Sequence, residues 1–136
     1  MRQLTVWRSE ITSLPDSLGR LNQLTELTID ECWRLREVSF KMVEGERESI
    51  NCPNLQHLQI NFCSQLVEVG TLPDALTTLD LTHCWELRKI EWASPLSKLR
   101  VLKLEGCKRL EQLPSLETLV SLEELHISYC ETLRSS

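Results

Sequence analysis

Aromatic residues are scarce in this chain of 136 residues, with four Trp, two Phe and one Tyr. A core short of rings must be assembled from Leu, Ile and Val, and so from many small contacts rather than a few large ones. No apolar run approaches the roughly 20 residues that a bilayer-spanning helix needs. The opening Met1-Arg2-Gln3-Leu4 has no signal-peptide hydrophobic region. Glycosylation sequons are missing too, because Asn22, Asn51, Asn54 and Asn61 all lack the following Ser or Thr. There is no Cys-x-x-Cys, no His-Glu-x-x-His and no glycine-rich phosphate loop. Basic residues are outnumbered 15 to 20, for a net charge of −5, which argues against nucleic acid or an anionic membrane as partner.

What the chain has instead is repetition. Leu24-x-x-Leu27-x-Ile29-x-x-Cys32 is answered by Leu55-x-x-Leu58-x-Ile60-x-x-Cys63, Leu76-x-x-Leu79-x-Leu81-x-x-Cys84, Leu99-x-x-Leu102-x-Leu104-x-x-Cys107 and Leu122-x-x-Leu125-x-Ile127-x-x-Cys130. A partial copy, Leu4-x-Val6-x-x-Ser9, puts serine in the cysteine slot. The slots are separated by steps of 23, 31, 21, 23 and 23 residues. A period of 20–29 residues carrying leucines and one small buried polar residue identifies leucine-rich repeats. The expected fold is therefore an α/β solenoid: an arc with a short-strand parallel sheet on its concave face and irregular or 3₁₀ returns on its convex face. The whole chain, 1–136, reads as one such solenoid of about six repeats.

Each Leu-x-Leu or Leu-x-Ile pair alternates with polar residues, which predicts strands near 3–7, 26–30, 57–61, 78–82, 101–105 and 124–128. Six strands leave five gaps of about 4.8 Å, a short arc of roughly 24 Å. On the return side Leu35 and Val38, Leu66 and Val69, Leu87 and Ile90, and Leu110 and Leu113 are expected to point inward. Pro15, Pro73, Pro95 and Pro114 break long helices there, while 15–21 has room for one helical turn. The long step marks an insertion of about eight residues within 39–49, expected as an exposed loop on the return side. Both ends read as cut from a longer array, with Leu4, Val6, Leu125, Ile127 and Leu133 partly bared.

Six cysteines in a short chain raise the question of a disulfide framework. Five of them share one repeat slot, where the side chain turns inward at the strand's end. That placement, with no secretory signal and no sequon, favours free buried thiols in a reducing compartment, the cytoplasm or the nucleus.

Alternation sends the residues between the leucines to the concave surface. The candidate protein-binding residues are Trp7, Arg8, Glu26, Asp30, Glu31, His57, Asn61, Phe62, Asp80, His83, Lys103, Glu105, His126 and Tyr129. They mix aromatic, polar and charged types, whereas the inward set is uniform. Acidic members exceed basic ones, so a basic patch on a partner is favoured by steering. Trp7, Phe62 and Tyr129 head the set because large aromatics dominate interface energetics. Trp33 and Trp85, which directly follow cysteines, read as packing at the edge of neighbouring rungs. Arg34, Arg36, Arg88, Lys89, Lys108 and Arg109 gather on the return side as a solvated basic face. His57 and His83 lie at opposite ends of neighbouring strands, roughly 16 Å apart along them, and His126 lies two rungs beyond His83. No catalytic site, metal site, cofactor or small-molecule substrate is expected.

The half-repeats Cys32-Trp33-Arg34-Leu35-Arg36-Glu37-Val38, Cys84-Trp85-Glu86-Leu87-Arg88-Lys89-Ile90 and Cys107-Lys108-Arg109-Leu110-Glu111-Gln112-Leu113-Pro114 resemble those of plant intracellular immune receptors. These are the nucleotide-binding leucine-rich-repeat proteins, particularly their Toll/interleukin-1-receptor-type branch. The Cys52-Pro53-Asn54-Leu55 lead-in, Ser121-Leu122-Glu123-Glu124-Leu125 and the run Ile11-Thr12-Ser13-Leu14-Pro15-Asp16-Ser17-Leu18-Gly19 are similar to that family as well. The resemblance implies a sensor segment in the defence response. Its concave face would bind a pathogen effector or the nucleotide-binding domain of the same receptor. The chain departs from the family in lacking a P-loop and a signalling domain, so nucleotide binding and NAD cleavage do not reside in it. The alternative reading is a generic repeat adaptor for protein–protein contact, or a receptor relic that binds nothing.

Overall fold

Five-residue stretches that alternate apolar and polar side chains are long enough to be strands but too short to bury anything alone. In the computed structural model, which describes residues 2–14, 22–40, 52–92 and 95–133, six of them stack side by side. They are β1 (Gln3–Trp7), β2 (Glu26–Asp30), β4 (His57–Asn61), β6 (Thr78–Thr82), β8 (Val101–Glu105) and β9 (Glu124–Ser128). These bounds are the predicted ones. All neighbours are parallel, in the order β1-β2-β4-β6-β8-β9. Register is fixed by the repeat, since Leu27, Leu58, Leu79 and Leu102 lie opposite one another, as do Ile29, Ile60, Leu81 and Leu104. The result is a parallel-strand solenoid, as a leucine-rich repeat demands.

The return side carries a second sheet that the expected irregular returns did not include. Three very short strands, β3 (Glu37–Ser39), β5 (Glu68–Gly70) and β7 (Lys89–Ile90), pair in parallel in that order. Val38, Val69 and Ile90 face one another in this sheet and are fully buried. Two or three residues are too few for a period to show in the sequence. They form a sheet because the repeat delivers a β-branched residue to the same place in each turn. One bridge, Lys89 with Gln112, carries the pairing into the next rung. Among the described residues the helical component is one 3₁₀ turn, Leu116–Thr118, whose Ser115 cap accepts a bond from the Glu117 N–H. The possible helical turn at 15–21 lies outside the described residues.

The insertion also needs correcting at its start. Ser39 belongs to β3, and Phe40 is 1% exposed and part of the core. Two residues after the inward Val38, the Phe40 side chain points the same way, as strand alternation requires. The rest of the expected loop, 41–49, lies outside the described residues.

One apolar core runs through the stack between the two sheets. Within it the slot cysteines have a defined task. Each Sγ lies within hydrogen-bonding reach of two carbonyl oxygens, one on the preceding rung and one two residues back in its own strand. For Cys84 these are Ile60 O and Thr82 O, both at 3.7 Å. The same pair of contacts recurs at Cys32, Cys63, Cys107 and Cys130. A weak S–H donor at the bend adds a second contact to strand-end oxygens such as Thr82 O, which already accepts from the Phe62 N–H. The five slot cysteines are free thiols. Cys52 lies outside the slot. Its carbonyl accepts from Leu55 N in the turn that leads into a strand, a place filled in later rungs by Pro73, Leu96 and Leu119.

Candidate protein-binding face

The fourteen candidate residues divide into two sets once the backbone is seen. Trp7, Glu26, Asp30, His57, Asn61, Asp80, Lys103, Glu105 and His126 lie on strands of the wide sheet, at positions opposite in alternation to the buried leucines. Arg8, Glu31, Phe62, His83 and Tyr129 come one residue after a strand, immediately before the slot. All five have positive φ, between 52° and 56°, and Gly106 fills the same place at 69°. The chain turns from the strand to the cysteine through this left-handed residue in every rung. Its N–H is tied to the next rung: Arg8 N to Asp30 O, Glu31 N to Asn61 O, Phe62 N to Thr82 O and Gly106 N to Ser128 O, each at 2.9 Å. A left-handed non-glycine residue is uncommon, and bonding at every step is what holds a column of them.

This column brings side chains together more closely than the strands do. At its first end the Arg8 Nε–H donates to Glu31 Oε2 at 2.7 Å, and the Arg8 guanidinium lies 5.2 Å from the centre of the Trp7 ring. In the middle, the Phe62 and His83 rings are stacked, with centroids 5.0 Å apart and planes 9° from parallel. Trp85 meets both rings edge-on, at 6.3 and 6.2 Å. It is edge packing of the expected kind, made with the column rather than with Trp33. The stacked His83 ring explains the glycine that follows, since a Cβ on Gly106 would come within 3.0 Å of His83 Cδ2. The Nδ1 of His83 is buried and has no hydrogen-bond partner, the one such side-chain nitrogen or oxygen among the described residues. A polar atom left this way costs free energy that the ring stacking has to offset.

The candidates do not converge on one pocket. Trp7 and Tyr129 stand on the first and last rungs of the wide sheet, 62% and 73% exposed. His57, His83 and His126 fall in three different places, the last near Glu124 at 3.6 Å. Among the described residues no group of three or more His, Cys, Asp and Glu side chains could hold a metal ion. Two shallow recesses lie among the candidate residues. One, of about 250 Å³, lies over β2, β4 and β6 and includes Glu26, His57, Gln59 and Asp80. The other, of about 540 Å³, is lined by Arg8, Glu31, Trp33 and Phe62. Trp33 thus shares a surface with the candidate set, although its position after a cysteine points only to edge packing. Its signal lies in space, because the column residues of its own rung and of both neighbours surround it.

The thiols offer little reactivity. Burial pushes Cys63 and Cys107 up to about 12 and Cys84 well above its ordinary value. Cys32, Cys52 and Cys130 are raised as well, again chiefly by desolvation. A nucleophilic or metal-binding role needs the thiolate, and this environment favours the thiol. Among the described residues no helix is long and apolar enough to cross a membrane.

The sequence is similar to segments of a known group of proteins. A putative disease resistance protein of Arabidopsis thaliana is 27% identical over 151 residues, an alignment covering 98% of this chain and 11% of that protein. A probable disease resistance protein of the same plant is 30% identical over 137 residues, 98% of the chain and 7% of the relative. Disease resistance protein RPP2A, also from Arabidopsis thaliana, is 30% identical over 93 residues, 66% of the chain and 7% of the relative. The chain is similar to a repeat segment of plant disease resistance proteins. It spans about a tenth or less of the length of these relatives. No family model matches, and no solved structure matches.

Proposed function

We propose that the chain is the recognition segment of a plant disease resistance receptor and that the outer face of its wide sheet binds a protein. That protein is a pathogen effector or the nucleotide-binding domain of the receptor itself. The observation that carries this reading is the contrast between the two sides of each strand. Register-matched positions inside the stack are Leu and Ile in rung after rung. Register-matched positions outside change type at nearly every step, as in Thr28, Gln59, Asp80, Lys103 and His126, with Thr5 opposite Thr28 the exception. A solenoid gains nothing in stability from such variety, whereas a surface that must discriminate among partners does. The chain's similarity to disease resistance proteins supports the biological setting. The acidic excess on the face favours a partner with basic side chains.

The test is an exchange of Trp7, Phe62, His83 and Tyr129 together, made in a receptor that carries this segment. The expected outcome is a change in which effector triggers the defence response. Unaltered recognition, with the receptor present at its normal level, would sink the reading.

A further inference from the structure

The recess between Arg8, Glu31, Trp33 and Phe62 is the place on the candidate face where exposed rings and a carboxylate meet. Phe62 is stacked against His83 yet remains 44% exposed, and Trp33 is 42% exposed. The Phe62 ring, held by a neighbour and still open to solvent, loses little freedom when something settles on it. Glu31 receives one bond from Arg8, whereas an ionised carboxylate has about four acceptor sites. The strand β2 that leads to Glu31 presents Glu26 and Asp30 outward and holds no basic residue.

The chain contains its own template for what such a place holds. The Arg8 guanidinium lies over the Trp7 ring and bonds to Glu31. A planar, weakly hydrated cation gains from both contacts at once, from the ring's quadrupole and from the carboxylate. On the other side of Glu31, Trp33 and Phe62 offer the same pair of contacts to a cation that comes from outside.

We propose that this recess takes an arginine side chain of the partner protein, its guanidinium resting on Trp33 and Phe62 and bonded to Glu31. The proposal rests on the reading of this face as protein-binding, and it adds the residue type the partner must bring and the point where it docks. Arg8 then has a second role, as an internal guanidinium that competes for the same carboxylate.

The competition supplies the test. Acetyl-arginine amide is titrated into the chain while the four tryptophan indole N–H signals are followed by NMR, with the uncharged citrulline counterpart as control. Binding should be weak and saturable, moving the Trp33 indole and the amides of Glu31 and Phe62. Citrulline should bind about fivefold more weakly or worse, and Trp33→Ala should lose a similar factor. Glu31→Gln should weaken arginine binding. Arg8→Gln should tighten it about two- to fivefold, because an exposed internal ion pair of that strength has been removed. A tighter Arg8→Gln variant supports the idea and distinguishes it from general stickiness of the rings. Unchanged or weaker binding in Arg8→Gln, equal binding of citrulline, or shifts centred elsewhere would each overturn it. If Trp33→Ala lowers the unfolding midpoint, the exposed and isosteric Glu31→Gln variant decides. A recess that binds arginine beside a face exchange without effect places the failure in the larger reading. A face that recognises its effector over a recess indifferent to arginine places it here.

Discussion

The rungs of β6 and β9 are written in nearly the same letters and follow the same backbone path, yet they experience different environments. Leu79, Leu81 and Cys84 are completely buried. Their counterparts Leu125 and Ile127 are 44% and 41% exposed, and Cys130 is half-buried. The rung of β6 has a described neighbour on each side, while that of β9 has one. In this architecture burial belongs to the stack and not to the residue. A leucine at a core position contributes what its two neighbours allow, so identical substitutions made in different rungs should have unequal effects.

Charge in the slot should break that comparison most sharply. Cys84→Asp places a carboxylate at a fully buried position in the apolar core, and it should lower stability by several kcal/mol. Cys130→Asp should cost far less, because its slot opens to solvent on one side. Urea unfolding of the two variants measures the gap. Equal losses would show that the last rung is as covered as the middle one.

Cavities come next in size. Leu79→Ala should cost about 2–5 kcal/mol and Leu125→Ala about 1 kcal/mol, since a half-exposed site loses less transfer free energy and collapses more easily. Thermal melts of the pair test the difference, and reversal of the order would refute the neighbour argument.

A third effect is one of pH, and it emerges only in the alkaline range. In the folded chain Cys63 and Cys107 ionise at about 12, against an ordinary 9.0. Below 9.0 both folded and unfolded forms hold these protons, and the contribution of burying neutral thiols is fully present. As pH rises from there the unfolded chain releases protons that the folded chain keeps, so stability falls by about 1.4 kcal/mol per pH unit for each thiol. The loss is complete once pH passes the folded value. Denaturation midpoints measured across the alkaline range should decline, and Cys63→Ser should flatten the decline more than Cys130→Ser does. A midpoint indifferent to alkali would mean that these thiols are not buried as thiols.

The scaffold was legible because it is written five times over. Leucine spacing set all six strands of the wide sheet to the residue, and the shared slot showed that the cysteines face inward. The second sheet was not legible. Its strands are shorter than any period, and Val38, Val69 and Ile90 reveal their pairing only when the rungs are stacked. Phe40 read as part of an insertion because the step length gives the number of extra residues and not where they begin. On the candidate face, alternation found which side chains look outward but not which ones meet. The Phe62–His83–Trp85 cluster joins residues 21 and 23 positions apart, a distance set by the repeat length and closed only by the fold. The nearness of Trp33 to Arg8, Glu31 and Phe62 was hidden for the same reason.

The left-handed residue that closes every strand has one more consequence, which concerns vocabulary. Strand positions on the outer face accept β-branched residues readily, and Thr5, Thr28, Thr78, Thr82 and Val101 occupy them. The column beside them reads Arg, Glu, Phe, His, Gly, Tyr, without a single Val, Ile or Thr. Branching at Cβ crowds a backbone at positive φ. The β-branched exception among the described residues, Thr71, lies outside the column, where its hydroxyl shares a hydrogen bond with Ser39. Two adjacent strips of one surface therefore draw on different alphabets. The strip next to the cysteines is the one whose backbone selects for long, reaching or planar side chains before any partner does.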